Sequence, residues 1–229
     1  MLRKLRTIFL VIAMILVAFF GYAMIVNRNT NNMTTRQKLL KTAYPVLAWI
    51  NKLTHKNKDV LSHSATTPPV SLYSLKAILN DGSTLDMASL KGKKVLLVNT
   101  ASDCGYTAQY EQLQQLSTKY EGKVVIIGFP ANDFKEQEKG TDEEIASFCK
   151  KNFGVSFPLA QKSVVVKAGD QNLIFQWLTD AAKNGWNQQA PVWNFCKYLV
   201  NEEGALVDYY GPGVEPMSEE IRHALEAKK

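Results

Sequence analysis

The chain is 229 residues long, 46% hydrophobic and 21% charged, which fits one globular domain with an appendage. Its formal net charge of +6 gathers before residue 60, where Arg3, Lys4, Arg6, Arg28, Lys38 and Lys41 are among the basic residues and Asp59 is the single acidic one. That excess flanks an apolar segment and does not interleave with aromatics, which argues against a nucleic-acid partner and for membrane topology and contact with anionic lipid.

Behind a basic flank at residues 1–6, residues 7–27 carry no charge and are long enough to cross a hydrocarbon core as a helix. They read as a membrane anchor or a signal peptide, and the length of the run favours the anchor. Arg3, Lys4 and Arg6 argue for an N-terminus inside and Arg28, Arg36, Lys38 and Lys41 against it; the reading taken is a single anchor with the folded domain on the extracytoplasmic (periplasmic) side. Residues 28–69 form a juxtamembrane segment and linker. Within them, residues 36–53 interleave basic and apolar positions, with Tyr44 and Trp49 suited to a headgroup layer and a kink or interruption predicted at Pro45. This is an amphipathic helix, lying either on the membrane or on the domain. The polar stretch 55–69 ends in Thr66-Thr67-Pro68-Pro69 and reads as linker.

The domain proper is placed at 70–229. Asn80-Asp81-Gly82 between two apolar stretches predicts a β-hairpin, and the run 95–98 a strand buried on both faces. A helix is expected over 107–120, a buried strand over 124–127, and a helix over 141–152 opened by a capping box of Thr141 and Glu144. Then follow a strand near 164–166, a helix over 173–183, a hairpin of 197–200 with 206–210 around Glu202-Glu203-Gly204, and a last helix from Ser218. Strands alternating with helices imply a three-layer α/β domain.

Cys104 lies in a polar, Gly-flanked turn at a strand-to-helix junction. Unpaired amides at a helix N-terminus favour the thiolate, the reactive form, whereas most lone cysteines are small buried hydrophobes. Three later segments are polar where core elements should be apolar: Phe129-Pro-Ala-Asn-Asp-Phe-Lys-Glu-Gln-Glu138, Phe148-Cys-Lys-Lys-Asn-Phe-Gly154 and Val192-Trp-Asn-Phe-Cys-Lys197. Loops at the carboxyl ends of strands form the ligand crevice of an α/β sheet.

Taken together, in this order, these segments resemble the glutathione peroxidase family, and the likeness runs over about 72–225. The resemblance implies a thioredoxin-like fold, a central mixed β-sheet flanked by helices, behind the N-terminal transmembrane helix. It implies a catalytic tetrad of Cys104, Gln137, Trp193 and Asn194, with Cys104 as peroxidatic nucleophile and the other three as neutral hydrogen-bond donors. No histidine is needed as base: His55 and His63 fall in the linker and His223 in the last helix. Cys149, with Phe148, Gly154, Val155, Phe157 and Pro158 around it, corresponds to the resolving cysteine of the thioredoxin-dependent branch.

That resemblance implies reduction of hydrogen peroxide and organic or lipid hydroperoxides through a Cys104 sulfenic acid, resolved by Cys149 as an intramolecular disulfide. A thioredoxin-like donor or glutathione would recycle it, with no cofactor and no metal. Two departures bear on this. Ala131 stands where many members have cysteine, and Asp133 brings a carboxylate that would oppose ionisation of Cys104 if it pointed inward. Cys196 reads as a strand residue. Short connections at 167–171 and 183–191 leave little material for a tetramerising insertion, which favours a monomer. Two rival readings are a peroxide sensor or redox relay, and an envelope thioredoxin-like thiol-disulfide reductase; the reductase predicts a Cys-x-x-Cys pair that the chain lacks.

Overall fold

The computed structural model describes residues 2–28, 30, 32–54 and 59–227. His55, Lys56 and Lys58 lie outside the described residues. Two long helices come first: α1, Leu2–Val26, and α2, Thr35–Thr54. The sheet that follows is built from β1 (Val60–Ser62), β4 (Lys94–Thr100), β5 (Val124–Pro130), β6 (Lys197–Val200) and β7 (Leu206–Tyr210), in the order β1-β7-β6-β4-β5. β4 is an interior strand, parallel to β5 and antiparallel to β6, so the sheet is mixed. A separate hairpin joins β2 (Lys76–Ile78) to β3 (Thr84–Asp86), and Gly82 takes the left-handed conformation its turn requires.

All seven residues of β4 are buried, as an apolar run without alternation predicts. Its side chains alternate between two cores. Leu96 and Val98 pack with α3 (Gln109–Lys119), α4 (Asp142–Phe153) and α7 (Glu219–Glu226) through Tyr110, Leu113, Phe148 and Ile221. Val95 and Leu97 pack on the other face with Met87 and with Phe175 and Trp177 of α5 (Leu173–Leu178). The layers are therefore helix, sheet, helix, the thioredoxin-like arrangement.

Four expectations need correction. The stretch 55–69 is not all linker: β1 pairs antiparallel with β7, Val60 opposite Tyr210, and His63 stacks on Trp186 with ring centroids 5.3 Å apart. Residues 164–166 form no strand; the amides of Val165 and Val166 bond the Asp133 carboxylate at 2.7 and 3.4 Å instead. The helix expected over 173–183 breaks at Thr179, and Asp180 caps a separate short helix α6, Ala181–Asn184. Of the kink or interruption expected at Pro45, only the interruption is overturned, since helix α2 runs through it.

The juxtamembrane helix packs on the domain. Tyr44 is buried in the α3/α4 core, with Leu47 and Ala48 against it, and Asn51 Nδ2 donates to the Tyr106 hydroxyl at 2.9 Å. Gln37 Nε2 donates to the Ser102 carbonyl at 3.2 Å, and Arg36 pairs with Asp103. Both contacts fall on the loop that carries Cys104.

Helix α4 begins with the reciprocal Thr141–Glu144 capping box, and its left-handed cap residue is Gly154. Thr141→Ala removes one half of that box and is expected to lower the stability of the full chain by about 1 kcal/mol in denaturant titrations followed by circular dichroism.

Candidate active site

Three loops at the carboxyl end of β4 and β5 and the amino end of β6 meet at Cys104. The first leaves β4. Thr107 Oγ1 accepts the Cys104 N–H at 3.0 Å and donates to the Ala101 carbonyl at 2.8 Å, closing the loop on itself. Thr107 therefore does not lead the helix: α3 starts at Gln109 after an uncapped Ala108. The nearest amide to the sulfur is that of Tyr106, 3.4 Å from Cys104 Sγ.

The second loop follows β5. Lys135 and Glu136 are consecutive left-handed residues, at φ of 55° and 51°, and they turn the chain so that Gln137 faces the Cys104 loop. The Gln137 carbonyl accepts the Asp103 N–H at 3.0 Å, and Asn132 Oδ1 accepts the Glu138 N–H at 2.9 Å.

The third loop precedes β6 and is held by one side chain, Asn99 of β4. Its Nδ2 donates to the Trp193 carbonyl and its Oδ1 accepts the Cys196 N–H, both at 3.0 Å, while its own carbonyl accepts the Phe195 N–H at 2.6 Å. Phe195, buried edge-on against Tyr110, is forced to φ 69°, where a bulky side chain is strained. Cys196 donates to the Trp193 carbonyl at 3.3 Å and lies 3.4 Å from the Tyr209 hydroxyl; it precedes β6 and braces the turn.

These loops bring the four tetrad positions together. Asn194 Nδ2 donates to Gln137 Oε1 at 3.1 Å, and the Trp193 and Asn194 side chains act on the Cys104 thiol by drawing its pKa down. Phe134 packs on the Trp193 ring at 5.6 Å between centroids, and Lys135 Nζ lies 5.6 Å from the same ring. Asn194 is fully buried and its Oδ1 has no partner. Asp133 points away toward Val165, so the carboxylate that raises the Cys104 pKa is that of Asp103.

The thiol itself departs from expectation. Cys104 is fully buried, and burial pushes its pKa up to about 11 against the opposing pull of the Tyr106 amide, Trp193 and Asn194. The resting sulfur is a thiol. Cys149, on α4 and also fully buried, is pushed up to about 12 by burial. Both cysteines are free and belong to the same apolar core, but they sit on separate elements. Among the described residues there is no metal-binding cluster of His, Cys, Asp and Glu.

Two groups were not singled out by sequence reasoning. Asn99 interrupts an apolar strand, and that interruption was its available signal. Glu138 is a buried carboxyl whose Oε2 accepts the Ser102 hydroxyl at 3.1 Å. It lines a cavity of about 640 Å³ with Gln137, Ser102, Ile145 and Phe148, between the Cys104 loop and α4. Burial raises its pKa to about 7.

The layers define a thioredoxin-like fold, and its loops gather neutral amide and indole groups around one buried cysteine. The sequence profile described as glutathione peroxidase matches residues 72–179. The chain is 41% identical over 157 residues to the glutathione peroxidase homolog BsaA of Staphylococcus epidermidis, covering 68% of this chain and 97% of that one. It is 40% identical over 156 residues to the glutathione peroxidase-like peroxiredoxin gpx1 of Schizosaccharomyces pombe, covering 68% and 96%. A crystal structure of T. cruzi GPX1 superposes with a TM-score of 0.51 at 27% identity, over 69% of this chain and 99% of the other. The chain belongs to the glutathione peroxidase family and is a peroxidase, an oxidoreductase.

The Glu138 carboxyl makes stability pH-dependent. In the unfolded chain it ionises near 4.5, in the folded chain near 7, so between those values the folded state keeps a proton that the unfolded state has lost. Stability contributed by this group therefore falls as pH rises through that window. Glu138→Gln is expected to remove the fall, a difference of about 3 kcal/mol at most between pH 4.5 and 7, read from urea midpoints across pH.

Proposed function

We propose that the chain reduces hydrogen peroxide and organic or lipid hydroperoxides by a two-cysteine cycle, with Cys104 as peroxidatic and Cys149 as resolving residue. The observation that supports this is the bond from Asn194 to Gln137 at 3.1 Å beside a buried Cys104 sulfur that accepts the Tyr106 N–H at 3.4 Å, with Trp193 and Asn194 both drawing the thiol pKa down. The small fraction of Cys104 present as thiolate attacks the distal peroxide oxygen. The O–O bond breaks, and one oxygen stays on sulfur as the sulfenic acid. The other leaves as water or alcohol once protonated. Donors from Gln137, Trp193 and Asn194 stabilise the charge as it moves from sulfur to the leaving oxygen, which a neutral site achieves without a base.

The Cys149 thiol then attacks the sulfenic sulfur, forming the disulfide and releasing water, and a thioredoxin-like dithiol or glutathione returns both sulfurs to thiols. Because the two cysteines sit on separate, buried elements, the helix between the capping box and Gly154 must partly unwind for them to bond. Ala131, where a rival thiol would stand, leaves Cys149 as the resolver. The domain acts as a monomer.

Helix α1 contains an apolar stretch, Arg6–Val26, none of it buried against the rest of the chain, which supports a single membrane anchor. The domain then lies on the extracytoplasmic side.

The test is peroxide consumption with thioredoxin and its reductase against consumption with glutathione. The two-cysteine cycle predicts turnover with thioredoxin that falls by at least about a hundredfold in Cys149→Ser, the loss expected when an activated nucleophile is removed. Turnover of Cys149→Ser at the wild-type rate with either donor would remove Cys149 from the cycle.

A further inference from the structure

Helix α2 has two apolar faces, and the domain accounts for only one. At about 100° per residue, Leu39, Val46, Trp49, Ile50 and Leu53 share an arc of roughly 100°. Each is 44–61% exposed, while Tyr44, Leu47, Ala48 and Asn51 on the opposite side face the domain. Elsewhere outside α1 the exposed large apolar residues among those described are Val60 and Leu61, adjacent on the edge strand β1, and Val70, Ile78, Leu173 and Val192, which stand singly in the sequence. A surface helix with one buried face does not need a second apolar stripe.

The position of α1 says what covers it. Asn27, the first residue beyond the Arg6–Val26 apolar stretch, donates through Nδ2 to Thr42 Oγ1 at 2.9 Å. Thr42 falls inside the same arc of α2, between Trp49 and Leu53 on the helical wheel. The end of the apolar helix is therefore fastened to the outward face of α2, at the buried Thr42 between the exposed Trp49 and Leu53. A bilayer crossed by α1 has its surface at that level. Lys38 and Lys52 lie at one edge of the stripe, where long cationic side chains reach lipid headgroups.

Resting on the membrane-anchor reading, we infer that the outward face of α2 docks on the bilayer that α1 crosses. Its inner face meanwhile holds the Cys104 loop, through Gln37 on Ser102, Leu47 beside Gly105 and Asn51 on Tyr106. One helix thus fixes the catalytic loop at the membrane surface. It sets the orientation of the domain, which a single spanning helix with a flexible linker would leave free.

The test uses the full chain reconstituted in vesicles of phosphatidylcholine and phosphatidylglycerol, with and without phosphatidylcholine brominated near the headgroup end of its acyl chains. Docking predicts tryptophan quenching by the brominated lipid that disappears in Trp49→Phe. It also predicts that Val46→Asp with Leu53→Asp slows turnover of a hydroperoxide carried on vesicle phospholipid by roughly tenfold, the effect of about 1.4 kcal/mol of lost interfacial binding, with hydrogen peroxide turnover unchanged. Protein that floats with the vesicles but shows no Trp49-dependent quenching overturns the docking and leaves the anchor standing, as does cross-linking between copies through α2. Protein that does not float overturns both. Absence of hydrogen peroxide turnover in the wild type fails the peroxidase cycle alone, since quenching still decides the docking.

Discussion

A sulfur enclosed at the end of β4 and shut off from water resists ionising, and the rest of the site is arranged around that cost. Burial lifts the Cys104 thiol to about 11 from an ordinary 9, so forming the thiolate costs about 3 kcal/mol more than at an exposed cysteine. The same exclusion of water strengthens every hydrogen bond made to developing charge. A charged base beside the sulfur would itself need a partner in this dry setting. Neutral donors need no counter-charge, only hydrogen-bond partners such as the one Asn194 finds in Gln137. In the proposed cycle the indole of Trp193 and the amides of Asn194 and Gln137 fill that role, and they become most effective as negative charge leaves sulfur for oxygen.

Holding those donors in place costs backbone strain, and the sheet absorbs it. Phe195 stays left-handed because Asn99 bonds the turn on both sides of it and Tyr110 packs its ring. Lys135 and Glu136 are left-handed in succession because the Gln137 carbonyl and the Glu138 amide are both tied to neighbouring segments. A fully buried interior strand is rigid enough to carry such loops. Helix α2 adds a fourth support on the Cys104 loop, and the exposed Arg36–Asp103 pair contributes little to it beside the buried Tyr44 and Asn51.

Local signals carried much of this. The unalternating run in β4, the Asn80-Asp81-Gly82 turn and the Thr141 capping box each act over a few residues, and each appears where the pattern puts it. Failures came where distant residues decide. β1 forms because β7 offers an edge, and nothing in a stretch as short as Val60-Leu61-Ser62 announces a partner so far along the chain. The break at Thr179 follows Asp180 taking the N-cap of α6, where its side chain accepts the Ala182 N–H. Asp133 looked like a hazard to Cys104 because the family resemblance puts its segment at the pocket; the fold turns it toward Val165. The tetrad positions were legible only as segments in order, since no spacing rule brings Gln137, Trp193 and Asn194 to one sulfur. Glu138 was hidden because a glutamate in a polar run reads as solvated.

The central claim is that neutral donors, acting on a buried thiol, supply the reactivity of Cys104. The most direct measurement is the rate of its oxidation in a single turnover by stopped-flow mixing with hydrogen peroxide, trapping and weighing the sulfenic acid, for the wild type and for Asn194→Ala and Trp193→Phe. The account predicts that each substitution slows oxidation by about a hundredfold, the loss seen when one preorganised donor to developing negative charge is removed. Oxidation of both variants at the wild-type rate would contradict it, and would mean that the sulfur draws its reactivity from some other group.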